Sequence, residues 1–123
     1  MIKDRLNSFK YAFQGIKELF LNTPNARIHL AFVVALLACG FVFRISITEW
    51  CLVILSIGMV LTAEAFNTAL EHLTDLVSPD YHPLAGKAKD VAAGAVFLAA
   101  ISAAIVGTII FLPKGWSVLI CCL

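Results

Sequence analysis

From Leu52 to Ala63 the chain is almost wholly apolar, and then Glu64, Asn67, Glu71 and Asp75 enter the same segment. At about 100° per residue, steps of three, seven and eleven from Glu64 place these four side chains within an arc of roughly 80° on a helix. A charged group in hydrocarbon costs a few kcal/mol or more, so carboxylates in membrane helices face a bundle interior or a watery cavity and mark functional sites. The stripe therefore predicts a membrane helix with one chemically active face.

The rest of the chain agrees with a membrane setting. Its 123 residues are 61% hydrophobic with a mean hydropathy of +0.94, too apolar for one small soluble domain to hide. Two further spans run from Ile28 to Phe43 and from Val91 to Leu112. The expected fold is an all-α membrane protein, an N-terminal amphipathic surface helix followed by three transmembrane helices, forming a single domain over residues 1–123. No internal repeat, low-complexity tract or linker divides it. Such a small bundle covers little polar surface alone, which predicts a homo-oligomer whose partners shield the acidic stripe.

The formal charge of +1 matters less than its distribution. Lys3, Arg5, Lys10, Lys17 and Arg27 precede the first span, Lys87 and Lys89 lie between the second and third, and Arg44 and Lys114 occupy the other side. The positive-inside rule then puts the N-terminus in the cytoplasm and the C-terminus outside, as expected for a multi-pass membrane protein. No secretory signal is apparent, because an amphipathic segment and not a short basic region precedes the first apolar stretch. No nucleic-acid partner is expected. Cys39, Cys51, Cys121 and Cys122 have neither disulfide nor metal spacing and read as small hydrophobes.

Ile2, Leu6, Phe9, Phe13, Ile16 and Phe20 recur at steps of three and four, with Lys3, Lys10 and Lys17 on another stripe. This pattern predicts a helix lying on the membrane surface. Its basic residues, Arg5 among them, either anchor lipid headgroups or also touch an anionic substrate. Thr23 is placed to cap the next helix, with Pro24 at its first position. Ala31, Ala35 and Cys39 in the first span, and Ala95, Ala99, Ala103 and Gly107 in the third, form rows of small residues that let helices approach closely. Trp50 and Trp116 suit the interfacial aromatic belt. The outer connection before Trp50 is short, whereas residues 78–86 form a turn-rich inner loop.

Glu64 and Glu71 are two turns apart, about 10 Å along the axis, with Asn67 between them. Oxygen ligands of this kind suit Mg²⁺, which takes one or two carboxylates and leaves its other positions to water and substrate phosphates. Lys89 offers a positive point charge for phosphate oxygens. Together they outline a phosphoryl-transfer site fed with a nucleotide from the cytoplasm and with a hydroxyl from the bilayer, Glu64 being the candidate base. Neither a Walker A loop nor a protein-kinase signature is present. The alternative from spacing alone is an inter-helix hydrogen-bond network in which Lys89 pairs with Asp75 or Asp90. A proton-coupled transporter and a non-catalytic membrane scaffold are the competing functions. His29, His72 and His82 read as packing or interface residues.

The run Glu64, Ala65, Phe66, Asn67, Thr68, Ala69, Leu70 and Glu71, followed by Asp75 and by Ala88, Lys89 and Asp90 through Ala93 to Val96, resembles the prokaryotic diacylglycerol kinase and undecaprenol kinase family. Phe9, Lys10, Ala12 and Gly15, and then Asn25, Arg27, Ile28 and His29, extend the likeness over nearly the whole chain. The resemblance implies a homotrimer of three-span subunits with composite active sites at subunit boundaries, in which ATP with Mg²⁺ phosphorylates a membrane lipid alcohol, diacylglycerol first and undecaprenol as the alternative. Carried over by position, it implies that Glu64 is the catalytic base, that Asn67, Lys89 and Asp90 bind nucleotide, and that Glu71 holds metal. Asp75 matches an acidic position of the motif. The chain departs from the family at Thr23, where many relatives carry a metal-holding glutamate; a water, Glu18 or Asp75 then has to replace that contact.

Overall fold

The structure, a computed structural model, describes residues 2–121, with side chains over residues 5–117. These residues form four helices: α1 (Ile2–Asn22), α2 (Pro24–Val42), α3 (Ile47–Val77) and α4 (Pro83–Cys121). The last three are long and apolar enough to cross a membrane. The side chains of Ile2, Lys3 and Cys121, and all of Cys122, lie outside the described residues.

A single extended residue, Thr23 at φ −108° and ψ 110°, separates α1 from α2. Pro24 follows in the first helical turn, where a missing N–H costs nothing. Thr23 occupies the expected cap position, but its side chain makes no capping hydrogen bond. Arg27 does the work at this junction from the other side. Its Nε donates to the Phe20 carbonyl at 3.1 Å, and its Nη2 donates to that of Leu21. These are carbonyls at the end of α1 that no further turn can satisfy. Leu19 and Ala26 are buried on either side of the break.

Between α2 and α3 the chain turns through Arg44, whose φ of 49° is left-handed. Ser46 then caps α3: its hydroxyl accepts from the Glu49 N–H at 3.3 Å, and Glu49 Oε2 accepts from the Ser46 N–H at 2.7 Å. This reciprocal pair starts α3 at Ile47, ahead of the Leu52 at which apolarity alone began the span. Trp50 is half-buried: its ring lies 4.9 Å from that of Phe41, centroid to centroid, and over Gly40.

α3 packs chiefly along α4. Ile45, Val53 and Ile110 form the buried core where the α2–α3 turn meets α4, backed by Phe43, Trp50, Ile57, Val106 and Phe111. On α3 the buried face continues from Val53 and Val60 into Glu64, Asn67 and Thr68, and on α4 it runs through Ala92 and Ala99. The helix pair is fastened at both ends, by Lys114 to Glu49 at 3.1 Å and by Lys89 to Asp75. Of the small-residue rows, Ala99 is buried and Ala103 and Gly107 are half-buried, whereas Ala95, Ala31, Ala35 and Cys39 are exposed within this chain. His82, expected to be a packing residue, caps α4: its Nδ1 accepts from the Leu84 N–H at 3.2 Å. The helix therefore starts at Pro83, inside the segment read as loop, and continues beyond Leu112 through Pro113.

Candidate functional site

Glu64 and Asn67 are buried because they sit on the face of α3 that seats against its neighbours, whereas the stripe opens toward Glu71 and the exposed Asp75. Successive steps of seven, four and three from Val53 reach Val60, Glu64 and Asn67, so the seam that is apolar in the N-terminal half of α3 becomes polar in its C-terminal half. Glu64 is the one large side chain below 2% exposure, at 1%. Asn67 and Thr68 are also buried, and Glu71 is half-buried.

Hydrogen bonding within the stripe is incomplete. Asn67 Nδ2 donates to Glu71 Oε1 at 3.2 Å, which fixes the amide and leaves its oxygen facing the seam. Glu64 Oε1, Asn67 Oδ1 and Thr68 Oγ1 are buried with no hydrogen-bond partner among the described residues. Each such atom costs about 1–3 kcal/mol unless something supplies a donor or a cation. Three of them within two turns of one helix make a row of oxygens suited to an incoming ligand.

The other expected residues lie away from Glu64, on the C-terminal end of α3, on α4 and on α1. Lys89 pairs with Asp75, as the hydrogen-bond-network reading allowed, with side chains 37% and 64% exposed. Asp75 is eleven residues past Glu64, roughly 16 Å along the axis, so Lys89 is anchored at the far end of the stripe and not directly against the candidate base. The pair borders a pocket of about 230 Å³ that also includes Ser78, Asp80, Tyr81 and His82. Asp90 is exposed beside Lys89. Arg5 is exposed on α1. Glu18, offered as a substitute for the family glutamate, accepts from Asn22 Nδ2 at 2.6 Å.

Sequence spacing missed His29. Its Nε2 lies 4.0 Å from Glu64 Oε2 across the α2–α3 interface, and its side chain is 23% exposed. It also lines an apolar cleft of about 870 Å³ between α2, α3 and α4, with Phe32, Val33, Val60, Ala100 and Ala104 among its walls. The only signal in the sequence was its place in the family-like run after Arg27. His72, by contrast, is exposed.

Residues 10–111 match the family described as prokaryotic diacylglycerol kinase. The chain is 46% identical over 107 residues to an undecaprenol kinase of Bacillus subtilis (strain 168), covering 87% of both proteins. It is 40% identical over 116 residues to a diacylglycerol kinase of Synechocystis sp., covering 94% of this chain and 66% of that longer protein. A diacylglycerol kinase of Escherichia coli (strain K12) is 31% identical over 96 residues, covering 77% of this chain and 78% of that protein. A buried carboxylate, Glu64, on a helix long enough to span a membrane, together with matches of this extent, means that the chain belongs to the prokaryotic diacylglycerol kinase family, and so to the lipid kinases.

Proposed function

We propose that the chain transfers the γ-phosphoryl group of ATP, with Mg²⁺, to the hydroxyl of a lipid alcohol held in the bacterial inner membrane. The observation that carries this reading is the row of three buried, unpartnered oxygens on Glu64, Asn67 and Thr68. Glu64, deepest in the seam, takes the proton of the attacking hydroxyl. Lys89 exchanges Asp75 for phosphate oxygens when nucleotide arrives, and Asp90 supports the nucleotide beside it. The Lys89–Asp75 pair is exposed enough for that exchange, since pairs of this kind contribute only about 0–1 kcal/mol.

The donor set fits Mg²⁺. Among the described residues no group of three or more His, Cys, Asp or Glu converges, and Mg²⁺ is ordinarily held by one or two carboxylates with phosphates and water completing the shell. Glu71 and Asn67 are the residues that would hold it, and Thr23 stands where relatives bring a further carboxylate. The bound ion supplies neutralisation of charge on the phosphates.

In this reading α1 lies on the cytoplasmic surface with its exposed Leu6, Phe9, Phe13 and Ile16 against lipid, the N-terminus is inside, and the C-terminus is outside. The assembly is a homotrimer with sites completed at subunit boundaries, and residues 1–123 act as one lipid kinase domain.

Diacylglycerol and undecaprenol are the two acceptors to weigh. Lipid-facing residues are generic aliphatic and aromatic side chains, which place no ranking on the two. The 46% identity to a protein named undecaprenol kinase, against 40% and 31% for the two named diacylglycerol kinases, favours undecaprenol. Labelled ATP offered with each alcohol side by side, with and without Mg²⁺, tests the proposal. Faster transfer to undecaprenol is expected; transfer to neither alcohol, or transfer unaffected by chelating Mg²⁺, would overturn it.

A further inference from the structure

The two carboxylate oxygens of Glu64 meet different surroundings. Oε2 lies 4.0 Å from His29 Nε2, whereas Oε1 has no hydrogen-bond partner. Nothing on α3 itself holds the group, because Asn67 commits its amide to Glu71. A general base must aim one lone pair at the proton it removes, and a misplacement of about 1 Å can cost on the order of 100-fold in rate. A long side chain with an unheld carboxylate is poorly suited to that task. Among the described residues His29 reaches the acid from across the interface, and it belongs at once to the apolar cleft and to the acid.

We propose that His29 is a positioning residue for Glu64. With its proton on Nε2, the imidazole draws Oε2 toward α2 and leaves Oε1 turned to the acceptor hydroxyl. Contacts of this kind are often long before substrate binds and shorten in the complex. The inference rests on the kinase reading above, since it assigns His29 a role only through the base. It also gives α2 a part in the chemistry that spacing along α3 could not reveal.

The test uses the full-length protein in detergent with lipid alcohol, ATP and Mg²⁺, comparing His29→Leu, His29→Gln, Glu64→Gln and the double variant His29→Leu/Glu64→Gln. His29→Leu is expected to lower kcat about 10- to 100-fold with little change in KM for ATP. His29→Gln, which keeps an N–H donor at similar reach, retains most of the turnover. In the Glu64→Gln background, His29→Leu causes no further loss, because two residues acting through one group are not additive. Equal losses in both backgrounds, a raised KM for ATP with unchanged kcat, or a Gln variant no better than Leu would overturn the proposal. Should His29→Leu fail to fold, His29→Asn decides: it keeps the amide N–H but withdraws it by one methylene, so kcat lower than in His29→Gln supports the role and equal kcat overturns it. Full turnover in Glu64→Gln alone would refute the base assignment itself. Loss in Glu64→Gln with wild-type kcat in every His29 variant would refute only the inference.

Discussion

Gly40→Ala should loosen the attachment of the C-terminal end of α2 to α3. A Cβ at this position would lie 2.6 Å from Trp50 Cη2 and 2.8 Å from Cζ2, against a comfortable carbon–carbon separation of about 3.5–4.0 Å. The ring has little room to retreat, since Phe41 lies against it and it packs on the core of Ile45, Val53 and Ile110. Overpacking of this kind costs about 1–3 kcal/mol, and alanine in a helix interior returns up to about 1 kcal/mol relative to glycine. With the full return, a net loss of about 0–2 kcal/mol, centred near 1, follows. Unfolding in detergent micelles measures it, with Gly58→Ala as the companion because nothing lies within 4 Å of a Cβ there. The reasoning predicts that Gly58→Ala is neutral or stabilising within the single chain, and that Trp50→Leu relieves most of the Gly40→Ala loss. Gly40→Ala as stable as Gly58→Ala, or no relief from Trp50→Leu, would refute it.

Ser46→Ala removes one half of the capping box and should cost about 1 kcal/mol, read in the same unfolding experiment; an unchanged midpoint would remove the box as the device that starts α3. Asn67→Ala and Lys89→Ala should impair use of ATP more than use of lipid, read as KM for each substrate. Equal loss for both substrates would count against the nucleotide role given to these side chains.

Most of the helical architecture is written in local patterns. Pro24 and Pro83 both begin helices because a first-turn proline loses no hydrogen bond. The boundaries that differ do so through side-chain caps: Ser46 with Glu49 carries α3 back to Ile47, and His82 draws α4 into a segment that looked like loop. The alignment of Glu64, Asn67 and Glu71 was legible because helical periodicity fixes which residues share a face. Its burial follows from the same face carrying Val53 and Val60. What periodicity does not carry is contact between helices. His29 meeting Glu64, Lys89 choosing Asp75 over Asp90, and Trp50 folding onto Gly40 all depend on how α2, α3 and α4 seat together. The exposed row Ala31, Ala35 and Cys39 shows the converse: small residues at four-residue spacing identify a surface able to pack closely, without saying that this chain supplies what packs there.

The buried carboxylate at Glu64 is the centre of the account, and phosphate transfer from labelled ATP to lipid alcohol by Glu64→Gln tests it most directly. The substitution preserves shape and removes the basic oxygen, so the variant should fold and bind nucleotide while transfer falls by about 100- to 10,000-fold. Transfer at the wild-type rate in a folded Glu64→Gln protein would contradict the account.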